Sequence, residues 1–278
     1  MHREVWERAV TGALDWVPKN VDITMPSAAR LYDYLLGGGH NFDADRTLAN
    51  RFLVAQPNAK NIARLNREFL RRAVLFMVEN GIRQFLDIGS GIPTVGNVHE
   101  VAQHAAPESR VVYVDYEDVA VAHSELILID NERATIVQAD LTRPADVLDA
   151  PETRRMLDFD QPIGLLMVGV FHFVFPDKDP VGIVRRYRDA LAPGSALAIS
   201  HFTSDLMPAE MAGIVEVMKG SRDPIHPRSR EEIVELFTGF DILEPGVVPT
   251  PLWHPQGPLA PDDDPNRAGI LAGVGRKR

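Results

Sequence analysis

FLDIGSGIPT, residues 85–94, is the stretch on which the fold turns. Phe85 to Ile88 read as a strand end. Gly89 and Gly91 then permit a tight turn and close backbone approach by a ligand, and a following helix offers unpaired N–H groups at its N-terminus. A G-x-G turn alone is weak, because a strand-to-helix connection needs glycine for its own geometry. Its surroundings carry the reading further. Upstream, residues 58–80 place Ile62, Leu65, Phe69, Ala73 and Phe76 at spacings of three and four, one buried helical face that Gly81 ends. Downstream, apolar runs rich in β-formers recur at 84–88, 110–114, 135–138, 164–170 and 196–200, with helical stretches near 94–106, 117–130, 146–157 and 179–191. Such alternation predicts a doubly wound, Rossmann-like α/β domain with a parallel sheet covered on both faces.

Beyond residue 200 the pattern gives two more helices, 205–219 and 229–237, and two strands, 240–243 and 269–274. A proline-rich connection from Pro245 to Pro265 separates the strands, and connections that long are usually functional or disordered. Residues 1–58 differ from the rest, with Pro18, Pro26, Gly37 to Gly39 and Pro57 between short helical patterns. They are read as an N-terminal helical extension or cap, and residues 59–278 as a single core.

The 278 residues, 45% hydrophobic and 24% charged, have the composition of an ordinary globular chain long enough to bury a core. The net charge of -10 opposes nucleic-acid binding. The absence of cysteine excludes disulfides, thiolate catalysis and zinc–thiolate sites. No run of 18 apolar residues and no signal-peptide core occur, so a cytoplasmic protein without membrane contact is expected. His99-Glu100 and Asp177-Lys178-Asp179 lack the spacing of a metal cage, and no metal is expected.

Three carboxylates end the first three strands: Asp87, Asp115 and Asp140. Asp115 follows Gly91 by 24 residues, where this architecture places an acid that accepts both ribose hydroxyls. Helix capping explains any one of the three; all of them in register with the glycine loop point to a nucleotide at the sheet's carboxyl edge. The third glycine of a dinucleotide loop is replaced by Thr94, after Pro93, and Asp87 would bring negative charge close to a diphosphate. Both features favour S-adenosylmethionine, which carries an amino group and a sulfonium.

The chain resembles the class I S-adenosylmethionine-dependent methyltransferases, and more narrowly the bacterial family known simply as "S-adenosyl methyltransferase". The resemblance is carried by PSAARLYDYLLGGGHNF (26–42), FLDIGSGIPTVGNVHEVAQ (85–103), VVYVD (111–115), ADL (139–141), FHFV (171–174), LAPGSALAISH (191–201) and PLW (251–253). It implies a seven-stranded sheet of order 3-2-1-4-5-7-6 with the last strand antiparallel. It further implies cofactor contacts from Gly89 and Gly91, ribose binding by Asp115, and adenine recognition by Asp140 and the Leu141 backbone. After Asp115 the chain reads Tyr-Glu-Asp where relatives carry Asn-Asp-Pro, which makes Tyr116 a candidate to stack on adenine.

Methyl transfer from a sulfonium is an in-line displacement that mainly requires alignment and, for some acceptors, proton removal. His172, after the fourth strand, is the first candidate base or acceptor-orienting group, with packing between Phe171 and Phe173 as its other reading; His201, ending the fifth strand, is the second. Residues 26–42 and the loop around Trp253 are expected to close over the pocket. Tyr32, His40, Phe171 and Trp253 would line the acceptor site, and Arg30 would pair with the cofactor carboxylate. The missing Asn/Asp-Pro-Pro-aromatic motif disfavours nucleobase methylation and leaves a small-molecule methyl acceptor as the partner. A non-catalytic S-adenosylmethionine-binding regulator and a nicotinamide-dependent oxidoreductase are the alternatives. No feature of the sequence sets an oligomeric state.

Overall fold

The computed structural model describes residues 22–93 and 96–278. Thr94, the start of the helix expected from it, and the first 21 residues of the extension lie outside the described residues.

One sheet holds β1 (Gln84–Ile88), β2 (Arg110–Asp115), β3 (Ala134–Gln138), β4 (Gly164–Val168), β5 (Ala196–Phe202), β6 (Phe240–Ile242), β7 (Val248–Pro249) and β8 (Ile270–Lys277). Its order is β3-β2-β1-β4-β5-β8-β6, with the two-residue β7 pairing only with β8. Setting β7 aside, β8 is the seventh strand and the order is the expected 3-2-1-4-5-7-6. β1 to β5 are parallel, and β8 runs antiparallel between β5 and β6. The chain winds outward from β1 to β3 and resumes at β4 on β1's other side. The resulting switch point between β1 and β4 leaves a crevice at the carboxyl edge where such sheets bind ligands. β1 has neighbours on both sides and buries all five residues, Asp87 included.

The helices are α1 (Ala28–Leu35), α2 (Asp43–Ala55), α3 (Ala59–Glu79), α4 (Val98–Ala105), α5 (Asp118–Leu128), α6 (Pro144–Leu148), α7 (Pro151–Met156), α8 (Pro180–Ala190), α9 (Pro208–Met218) and α10 (Arg230–Glu235). The single helix expected over 146–157 is two. Pro151 disfavours helical backbone at the residue before it, and Ala150 is accordingly extended (φ −56°, ψ 136°). The segment before residue 58 contains more helix than its glycines and prolines suggest, because the 13-residue α2 buries Leu48, Ala49 and Phe52 on one face.

Apolar residues of α6, α7, α8 and α10 pack on one face of the sheet, and α3 and α4 cover the other. A third cluster unites α1, α2 and α9 with the start of α3 through Leu31, Leu35, Phe52, Met211 and Ile214. These helices roof the carboxyl edge. The proline-rich connection is folded along α3: Arg72 donates to the carbonyls of Trp253 (2.8 Å) and Thr250 (2.7 Å), and the fully buried Trp253 ring meets Phe69 and Phe76 edge-on.

Candidate active site

The glycine loop is held by strand β2. Gly89 and Ser90 donate backbone N–H bonds to the Val114 carbonyl at 2.7 and 3.1 Å, and Gly91 donates to Asp115 Oδ2 at 2.8 Å. Both glycines are left-handed, with φ of +69° and +66°, for different reasons. A Cβ on Gly89 would fall 2.2 Å from Val170 Cγ2, so that glycine lets the turn after β4 pack closely. A Cβ on Gly91 would meet nothing within 4 Å, so the space beside it is open to a ligand.

That space belongs to a cavity lined by Asp87, Gly89, Gly91, Asp115, Tyr116 and Leu141 from the first three strand ends. Arg67 of α3, His172, and Ala28, Ala29, Leu31 and Tyr32 of the roof complete much of the wall. Burial pushes the Asp87 carboxyl up to about 7; the Arg67 charge opposes that rise and the Asp115 charge adds to it. Burial also raises Asp115, while backbone N–H bonds from Glu117 and Gly91 pull it down. Each Asp115 oxygen accepts one of these bonds, at 3.0 and 2.8 Å, and each keeps a second acceptor site.

Two ties fasten the roof to the turn after β2. Asp223 accepts the Ala28 N–H at 2.7 Å and the Tyr116 hydroxyl, and Arg222 lies over the Tyr116 ring at 4.8 Å. Arg30, 1% exposed, reaches Asp45 at 2.9 Å, Glu117 at 2.6 Å and the Met25 carbonyl. Its whole guanidinium fork is thus engaged inside the protein. The expectation that Arg30 pairs with the cofactor carboxylate is overturned, and Arg67 is the arginine on the cavity wall. Arg67 sits on α3 beside the buried stripe and looked like part of a polar face. In the sequence nothing separates it from the other arginines of that helix, Arg64, Arg71 and Arg72.

Further candidates move for similar reasons. His201 is fully buried behind the cavity, with Nδ1 2.6 Å from the Phe202 carbonyl and Nε2 2.6 Å from Arg228 Nη1. Only an Nδ1–H can bond that carbonyl, so Nε2 accepts from the guanidinium. Burial above all, with Arg228, drives its pKa down to about 3. It is a neutral strut and not a base. Phe171 is buried in the sheet core, and Trp253 is spent on α3; neither lines the cavity. His40 lies tilted against His123, ring centroids 3.8 Å apart, near Asp33 and outside the cavity lining. Asp140 is exposed and accepts the N–H and hydroxyl of Thr142, both at 2.8 Å, while its neighbours Ala139 and Leu141 line the cavity.

His172 and Tyr32 both line the cavity. The His172 ring lines the cavity at 3% exposure, flanked by Phe173 at 4.4 Å and Phe202 at 4.5 Å, and its Nδ1 has no hydrogen-bond partner among the described residues. Burial, then His201 and Arg228, hold its pKa well below the usual histidine value.

A family model described as S-adenosyl methyltransferase matches residues 14–278. The chain belongs to this family. The family's cofactor is S-adenosylmethionine, and the open side of Gly91 between an acidic pair and an arginine suits it. Two solved structures are similar over nearly the whole chain. One, from Thermobifida fusca YX and described as a methyltransferase candidate, is 41% identical with a TM-score of 0.89, covering 95% of this chain and 99% of its own. The other, a DUF574 family protein from Streptomyces avermitilis MA-4680, is 38% identical with a TM-score of 0.88, covering 92% and 99%. A mitomycin 7-O-methyltransferase, 18% identical with a TM-score of 0.50 over 96% of this chain and 75% of its own, shares the fold. No curated protein matches the chain. Among the described residues no helix is long and apolar enough to cross a membrane, and no cluster of His, Asp and Glu is arranged to hold a metal ion.

Proposed function

We propose that the chain methylates a small-molecule acceptor held between the carboxyl edge of the sheet and the helical roof. The observation that carries this reading is the joint placement of Gly91, Asp87, Asp115 and Arg67 on one cavity. S-adenosylmethionine, when bound, supplies a methyl group on a positively charged sulfur. Asp87 faces its ammonium group, Arg67 its carboxylate and Asp115 its ribose hydroxyls, while Ala139 and Leu141 give the adenine apolar walls. Tyr116, held by Asp223, closes the adenine side. His172 orients the acceptor near the turn after β4. Residues 22–58 together with α9 act as the cap that excludes water, and residues 59–278 otherwise supply the core.

Incubation with methyl-labelled S-adenosylmethionine and a small-molecule cell extract, followed by mass spectrometry, tests the activity. Labelled small-molecule product is the expected result; its absence across extracts, with cofactor bound, refutes catalysis. In calorimetry with S-adenosylhomocysteine, Arg67→Leu should lose about 1.5–3 kcal/mol, the worth of hydrogen bonds to a charged group. Unchanged affinity would remove Arg67 from the site.

A further inference from the structure

The cavity is chemically divided. Its charged wall residues are all tied to the glycine loop or the turn after β2. Arg67 acts on Asp87, Gly91 donates to Asp115, Arg30 pairs with Glu117, and Asp223 binds Tyr116 and Ala28. The remaining wall is apolar: Leu31, Leu35, Phe52, Met218, Ile225 and Phe202 all belong to, or pack on, the hydrophobic cluster of the roof. A smaller cavity between α1, α2, α3 and α9 shares Tyr32, Leu35, Phe52, Phe202 and Ile270 with it, and extends the apolar room under the cap.

Tyr32, Asn66 and His172 are the polar side chains on the apolar side, and the first two are spent, Asn66 partly on Ser200 behind the wall. Ser200 Oγ donates to Asn66 Oδ1 at 2.6 Å, Asn66 Nδ2 donates to the Tyr32 hydroxyl at 3.1 Å, and that hydroxyl donates to the Ala63 carbonyl at 3.1 Å. His172 is the third, and its Nδ1 has no hydrogen-bond partner among the described residues; Ser90 Oγ, on the glycine-loop side of the cavity, likewise has none. Arg67, whose charge also reaches Tyr32, is assigned to the cofactor carboxylate, so an anionic or cationic acceptor would lose its water here with no counter-charge left to it, whereas an uncharged one forfeits only weakly held water and gains ring contacts.

We infer that the methyl acceptor is an uncharged molecule with a flat, mostly apolar body and one O–H or N–H edge group, seated against the His172 imidazole with its body under α1 and α2. This rests on the methyltransferase reading above. The acceptor's oxygen or nitrogen lone pair forms the new bond to the methyl carbon as the carbon–sulfur bond breaks, and that bond's electron pair stays on sulfur to give neutral S-adenosylhomocysteine. The acceptor then sheds its proton to the imidazole and on to solvent. Alkylation makes that proton strongly acidic, so a base weakened by burial suffices.

The test uses the full chain saturated with S-adenosylhomocysteine and three probes of one shape: 1-naphthol, 1-methylnaphthalene and 1-naphthoate. Fluorescence titration should rank them in that order, with 1-naphthol about fivefold tighter than 1-methylnaphthalene, the worth of one neutral hydrogen bond. The carboxylate should trail 1-naphthol by at least about tenfold, because its charge is desolvated without a partner. His172→Phe should erase the first gap while S-adenosylhomocysteine still binds, which also shows that the variant is folded. Equal or tighter binding of 1-naphthoate overturns the inference, as does no binding of any probe to the cofactor-saturated protein. A His172→Phe protein that keeps the 1-naphthol preference overturns the role of the imidazole. Failure of S-adenosylhomocysteine itself to bind overturns the cofactor reading beneath it, a separate and separately visible result.

Discussion

Arg30→Met distinguishes a structural tie from a cofactor ligand at one position. The guanidinium lies between Asp45 at 2.9 Å and Glu117 at 2.6 Å, with side-chain exposures of 2%, 0% and 3% for the three residues. Methionine keeps the apolar stem and removes the charge. Asp45 would retain N–H bonds from Ser27 and Phe42, and Glu117 one from Ala120, but both carboxylates would be buried with no cation between them. Removing one side of such a buried pair costs about 3–5 kcal/mol. Against the roughly 5–15 kcal/mol that holds a domain together, that is a large fraction. At a urea dependence of about 3 kcal/mol per molar for a chain of this size, the midpoint should fall by about 1–2 M. Circular dichroism against urea reads the midpoint. Adding Glu117→Gln removes one stranded charge, so the double variant should be about 1–3 kcal/mol more stable than the two single losses sum to. A variant that stays within about 1 kcal/mol of the parent yet loses S-adenosylhomocysteine affinity would refute this reasoning and return Arg30 to the cofactor.

The two glycines of the loop should fail differently: Gly91→Val abolishes S-adenosylhomocysteine binding with helical content retained, whereas Gly89→Ala, whose new Cβ collides with Val170, lowers the melting temperature. Calorimetry beside circular dichroism separates them, and binding by Gly91→Val would reduce the loop to a structural turn. Asp87 gives a pH signature. Its carboxyl is raised from 3.8 to about 7 in the folded protein, so its contribution to ligand-free stability is full below 3.8 and is lost as pH rises through about 7. A ligand ammonium needs the ionised form, so S-adenosylhomocysteine affinity should rise about tenfold from about pH 6 to 8, and the rise should vanish in Asp87→Asn. Titration calorimetry across that range checks it, and a parent profile as flat as the variant's would detach Asp87 from the ligand amine.

Periodicity and the glycine loop made the sheet legible, because a buried parallel strand such as β1 is largely apolar on both faces and the turn after it takes the left-handed backbone that Gly89 and Gly91 supply. What the sequence left open was decided by long-range partners. Arg30 and Arg67 are both arginines on helices. Only the arrival of Glu117, 87 residues beyond Arg30, shows that Arg30 is tied into the fold. His201 looked like His172 until Arg228 closed on its Nε2. Trp253, in a proline-rich stretch, reads equally well as a lid or an anchor, and the aromatic face of α3 settles it through Phe69 and Phe76. Asp223 gave no signal, because its two partners, the Ala28 N–H and the Tyr116 hydroxyl, lie 195 and 107 residues away.

The turn after β2 has two neighbours at once. Asp115 holds the glycine loop, while the next two residues, Tyr116 and Glu117, hold the roof through Asp223 and Arg30. Any ligand that favours the closed arrangement of this turn therefore favours the seated roof, and linkage makes the effect mutual: whatever loosens the roof weakens the ligand by the same factor. Substitutions at Asp45, which does not line the cavity, would in this way set how long the methyl donor and its spent form reside.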